Sequence, residues 1–114
     1  MQKHDEIRLR HMLDAGNEAL SFAHGRSRRD LDADRMLVHS LVRCVEIIGE
    51  AASGVSQKTR EQNPEIPWPD IVGMRNRLIH AYFDVDLNRV WETVADDLPP
   101  LVGQLKRILQ KKTA

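Results

Sequence analysis

A chain of 114 residues, 41% hydrophobic and 30% charged, is long enough to bury one core and too short for two ordinary domains. Its 17 basic and 17 acidic residues cancel, which argues against a non-specific nucleic-acid coat protein but leaves room for a small basic cleft. The lone Cys44, a charged N-terminus without a signal-peptide pattern and the lack of any apolar run near the roughly 18 residues of a membrane span point to a cytoplasmic chain with no membrane partner.

Hydrophobic periodicity predicts helices throughout. Over 4–24, Leu9, Met12, Leu13, Gly16, Ala19, Leu20 and Ala23 fall on one stripe at about 100° per residue. Gly25 to Asp30 breaks the pattern and reads as a turn. A second helix over 31–53 is apolar around half its circumference, as a central or shared helix would be. Its polar seam is His39, Arg43, Glu46 and Glu50. A short helix over 55–62 stops before Asn63-Pro64. Three prolines and Trp68 then form a rigid turn, and Pro69-Asp70 suits the first turn of a helix running to about Tyr82. Asp84-Val85-Asp86 caps a last long helix, whose apolar phase persists from Leu87 to Leu109. Pro99-Pro100 lie on its opposite face and predict a bend or brief interruption. Nothing reads as a strand. The expected fold is all-α: one domain over 1–114, an up-and-down bundle of about five helices.

The segment Arg75-Asn76-Arg77-Leu78-Ile79-His80-Ala81-Tyr82-Phe83 concentrates the chemistry. On a continuous helix, Asn76 and His80 are i, i+4 neighbours that can hydrogen-bond. Arg75 and Tyr82 then fall almost in register two turns apart. Val72 and Ile79 form a small apolar strip on the polar side, which a dimer partner would cover. Cleaving RNA without a metal requires a base for the 2′-hydroxyl, an acid for the 5′-oxygen and positive charge on the transition state. Histidine serves either proton transfer and arginine holds phosphate oxygens. One chain offers a single suitable histidine, so two copies in a shared cleft would supply both transfers.

Taken alone, the pattern is also compatible with a salt-bridge and capping set. Arg77 reads as a surface charge, and Tyr82 and Phe83 can pack on Trp91. The seam reads as a solvated face with an Arg43–Glu46 pair, or as a polar wall of the cleft. Arg26, Arg28 and Arg29 read as a solvated basic loop. His4, His11 and His24 show no zinc spacing, there is no glycine-rich phosphate loop, and no metal or cofactor is expected.

Arg75 to His80 matches the R-x(4–6)-H motif of HEPN domains, and the extension to Tyr82 resembles the R-x4-H-x-Y form of HepT-like toxins. Ile47 to Ala52, Pro64 to Trp68, Gly73 to Asn76, Val85-Asp86, Val90 to Glu92 and Asp97 to Pro99 resemble that family too, so the similarity covers nearly the whole chain. The resemblance implies a HEPN-like fold and a metal-independent RNase, the toxin of a type II toxin–antitoxin pair. It implies a homodimer whose cleft collects both motif copies, with Arg75 and His80 catalytic and Asn76 supporting. It further implies a minimal nucleotidyltransferase (MNT) antitoxin that transfers AMP to Tyr82, placing bulk and negative charge beside Arg75 and blocking RNA. The competing hypothesis is a non-catalytic helical partner that binds and positions such a nucleotidyltransferase.

Overall fold

Spacing of apolar residues determines the first helix. α1 (Lys3–Ala23) buries Leu9, Met12, Ala15, Gly16 and Ala19 along one stripe. The turn after it contains Gly25, whose φ of 74° lies in the left-handed region that suits glycine. The computed structural model describes residues 1–81 and 84–113.

The helix expected over 31–53 is divided. α2 (Asp30–Ala33) ends at Asp34, whose backbone is extended, and α3 (Arg35–Ser53) follows. The division comes from Asp34 itself: its carboxylate accepts from the Leu37 N–H at 3.0 Å and caps α3. The buried residues of α3 spread widely around it because α3 is central, packed against α1, α2, α5, α6 and α7.

α4 (Gln57–Gln62) starts two residues later than its periodicity suggests, because the Ser56 hydroxyl accepts from the Thr59 N–H at 3.3 Å and caps it. It stops at Asn63, before Pro64, as expected. Asp5 of α1 anchors this corner. Its carboxylate accepts from the Ser56 N–H at 2.9 Å, the Ser56 hydroxyl at 2.6 Å and the Thr59 hydroxyl at 2.6 Å. Burial opposes ionisation of Asp5, but the bonds from Ser56 and Thr59 prevail and hold its pKa below the ordinary value.

α5 (Trp68–Val72) has Pro69 in its first turn. The buried Trp68 indole donates to the Asn63 carbonyl at 3.1 Å. Arg60 lies over its ring, 5.8 Å from the centroid, and donates to the Ala52 and Val55 carbonyls at the end of α3.

The single helix expected from Pro69 to Tyr82 is not what forms. Gly73 separates α5 from α6 (Met74–Leu78), and the chain then enters β1 (Ile79–Ala81), antiparallel to β2 (Asp84–Val85). This small ladder corrects the expectation of no strand. Two causes act together. β-Branched Ile79 pairs with Val85, and the Asp86 N–H donates to the Leu78 carbonyl at 2.7 Å, taking an acceptor that a continuing helix needs.

α7 (Leu87–Glu92), a π-helical turn (Thr93–Asp97) and α8 (Leu98–Thr113) make the last run, capped by Asp86. The π turn is the expected interruption. Pro99 and Pro100 lack N–H groups and crowd the carbonyls four residues earlier, and widening the preceding turn relieves both problems. Both prolines are exposed, while Leu98, Leu101 and Leu105 stay in the core.

The result is an all-α bundle around one core, with α1 packed on α3 and α8. Its helix pairs approach closely at Gly16, where an added Cβ would lie 2.8 Å from Val102 Cγ2. Among the described residues no helix is long and apolar enough to cross a membrane.

Candidate active site

Arg75 is brought to α3 by a close backbone approach. A Cβ on Gly49 would lie 3.2 Å from the Val72 carbonyl oxygen and 3.4 Å from that of Ile71, so a small residue here lets the end of α5 rest on α3. α6 follows at once, and Arg75 Nε meets Glu46 Oε2 at 3.4 Å. An open cleft of about 370 Å³ results, lined by Glu46, Gly49, Glu50, Ser53, Val72, Arg75 and Asn76. The contact engages Nε, and among the described residues both terminal guanidinium nitrogens remain for an anion.

The polar seam of α3 is therefore a wall of this cleft, in its Glu46 and Glu50 part. The Arg43–Glu46 pair is replaced by Arg75–Glu46, because α6 presents the nearer cation. Val72, half of the expected apolar strip, remains 38% exposed at the rim, while Ile79 is partly buried against the core.

His80 has a different neighbourhood. Ile79 pairs with Val85 and Ala81 with Asp84, so His80 is the extra residue of a bulge in β1. Its Nε2 lies 3.1 Å from Asp86 Oδ2. The other Asp86 oxygen accepts from the Arg89 N–H at 3.1 Å. That backbone bond, together with the bond from His80, holds the Asp86 carboxyl below its usual pKa. Because α6 ends at Leu78, Asn76 and His80 are not successive residues of one helical face, and the contact expected between them gives way to His80–Asp86. Asn76 instead lines the cleft beside Arg75. Tyr82 and Phe83 lie outside the described residues.

The remaining charged groups sort clearly. Arg77 is exposed and donates to the Asp70 carbonyl at 2.9 Å. It borders a second concavity of about 320 Å³ that also contains Asp70, Asp96 and Asp97. Three carboxylates make that wall unfavourable for phosphate, so the Arg75 cleft is the better anion site. Arg28 is tied to Asn88 and Asp32, and Arg26 to Asp34. Burial pushes the Cys44 thiol up to about 11, reinforced by the negative charge and hydrogen bond of Glu18, which makes it a poor nucleophile.

Two residues in this region escape a reading based on helical spacing, Glu46 as the partner of Arg75 and Asp86 as the partner of His80. Asp86 is visible in the sequence as a cap. Its second role depends on β1 folding back, which helix periodicity does not encode.

Comparison with known proteins bears on the whole assembly. The family model described as ribonuclease HepT-like matches residues 12–108. An RNase-named relative from Caldanaerobacter subterraneus subsp. tengcongensis is 39% identical over 104 residues, covering 91% of this chain and 93% of its own. A relative from Thermococcus cleftensis that carries the name ribonuclease HepT is 39% identical over 79 residues, 69% of this chain and 72% of its own. An RNase-named protein of Methanocaldococcus jannaschii is 33% identical over 95 residues, 83% of this chain and 87% of its own. No solved structure matches. A family match that spans α3, the Arg75 cleft, the His80 bulge and most of α8 has one consequence: this chain belongs to the HepT-like ribonuclease family.

Proposed function

We propose that the protein is a metal-independent endoribonuclease acting as the toxin of a type II toxin–antitoxin pair. Arg75 holds the scissile phosphate, His80 exchanges protons with the reacting oxygens, and Asn76 supports the phosphate side of the cleft. The observation that carries this reading is the HepT-like family match across the segment that presents Arg75 and His80, both accessible to solvent. RNA degradation in the presence of EDTA by wild type, and its absence in His80→Ala protein, tests it. Full cleavage by the His80→Ala variant would overturn it.

The site acts as a homodimer on this reading. Within one chain the cleft sets one arginine against Glu46 and Glu50, which is a poor balance for an RNA phosphate. A second copy adds another Arg75 and another His80, one histidine for each proton transfer. The partly exposed Val72 at the rim is an apolar group that such a copy would cover.

Glu46 competes with substrate for Arg75. Glu46→Gln should therefore lower the KM for RNA several-fold at low salt, with the gain shrinking as salt screens the cleft. Its melting temperature should stay near that of wild type, since exposed ion pairs contribute only about 0–1 kcal/mol. Steady-state cleavage at two ionic strengths measures this.

The proposed antitoxin is a minimal nucleotidyltransferase that adds AMP to Tyr82. Incubation with that partner and ATP should raise the mass in steps of one adenylate and stop RNA cleavage. Intact-mass spectrometry of Tyr82→Phe protein checks the site: an unchanged mass gain would place the modification elsewhere.

A further inference from the structure

The geometry points to Asp86 as the positioning residue of His80, a role that rests on the ribonuclease reading and extends it. Three contacts fix Asp86. Its N–H donates to the Leu78 carbonyl at 2.7 Å, its Oδ1 accepts from the Arg89 N–H at 3.1 Å, and its Oδ2 faces His80 Nε2 at 3.1 Å. One residue thus ends α6, begins α7 and meets the histidine. The bulge in β1 turns His80 toward it.

The chemistry follows from what a carboxylate can do. An ionised Asp86 only accepts hydrogen bonds, so the hydrogen on the facing ring nitrogen belongs to His80. Neutral His80 is then the Nε2–H tautomer, and its Nδ1 lone pair is the base. In the homodimer one His80 takes the 2′-hydroxyl proton at Nδ1, and the His80 of the second copy, protonated at Nδ1, gives one to the 5′-oxygen, while Nε2 of each ring stays bonded to its own Asp86. The ring is held in one tautomer and one orientation, as acid–base work at a fixed distance requires. Among the described residues, the charged groups nearest in the ladder and its cap are Asp86 itself, Asp84 on β2 and Arg89 on the first turn of α7, whose guanidinium is drawn toward Glu92 at 3.8 Å.

Two substitutions separate the two jobs of Asp86. Serine caps a helix well but is too short to reach the imidazole, and alanine does neither. Asp86→Ser should keep a melting temperature close to wild type, yet lose about tenfold or more in kcat, a part of the 10²–10⁴ that a placed acid–base group supplies. Its KM for RNA should stay within about twofold, because Arg75 holds the phosphate. Asp86→Ala should show the same loss of kcat together with a lower melting temperature. In ¹⁵N spectra at neutral pH, His80 should show the Nε2–H tautomer in wild type and a mixture in Asp86→Ser. Wild-type kcat in the serine variant, or an unchanged His80 tautomer there, overturns the proposal. If wild type cleaves no RNA, the ribonuclease reading fails and the tautomer measurement alone decides whether Asp86 sets the ring.

Discussion

His80→Ala protein should fold as wild type does and lose about 10²–10⁴-fold in RNA cleavage, the amount that a positioned proton-transfer group contributes. The stability half of this expectation follows from its surroundings. The His80 side chain is 58% exposed and stands outside the core, and Asp86 keeps its cap on α7 without it. The activity half follows from arithmetic within the chain. His4 donates to the Gly54 carbonyl at 3.1 Å, and no other histidine stands on β1 or α6. A replacement for the lost proton relay is therefore not at hand. Circular dichroism alongside cleavage of a labelled RNA in EDTA measures both halves. An inactive but unfolded variant would point to a structural role for His80, and an active variant would remove it from the mechanism.

Asp5→Ala should destabilise the protein by about 2–4 kcal/mol, since it leaves Ser56 and Thr59 donors unpaired at a site where each costs about 1–3 kcal/mol. Asp5 is 1% exposed, so its carboxylate and not bulk water satisfies these donors in the folded protein. Asp5→Asn isolates the charge, because the amide keeps one acceptor in nearly the same place. The sign of its pH dependence is set by the lowered pKa of Asp5 in the folded state. A carboxyl that binds its proton more weakly when folded contributes stability above its unfolded value, about 3.9. That contribution disappears as pH falls through the lower folded value. The difference in unfolding free energy between wild type and Asp5→Asn should thus be constant at neutral pH and narrow below about pH 4. Urea denaturation at pH 7 and at pH 3 tests it. A gap that widens in acid would contradict the assignment.

Legibility in the sequence followed the range of the interactions involved. α1, α3 and α8 were readable because each buries one continuous face, and a 3.6-residue period records that directly. The stop at Asn63 and the cap at Asp86 were readable because proline and N-cap chemistry act over three or four residues. The end of α6 was not, although Ile79 was a hint. Whether a β-branched residue leaves a helix depends on a partner, here Val85 with Asp86 behind it. Helical periodicity alone therefore puts Asn76 beside His80, where the structure has Asp86. Arg75 and His80 themselves needed no fold to be singled out, since their residue types and spacing survive either geometry. Asp5 shows a different limit. It stands four residues before Leu9 on the buried stripe of α1, so its burial could have been noticed. What permits a carboxylate there is Ser56 and Thr59, more than 50 residues away.

The ladder that carries His80 also sets how this protein can fail. β1 and β2 contribute three and two residues, whereas the core is built from α1, α3 and the run from α7 to α8. A ribbon of that size opens at a small fraction of the free energy that holds the bundle. On the proposed mechanism, damage there should stop RNA cleavage and leave the melting curve almost untouched. Thermal stability is consequently no surrogate for ribonuclease activity on that mechanism. A screen that ranks variants by folding alone should keep those altered only in this ribbon.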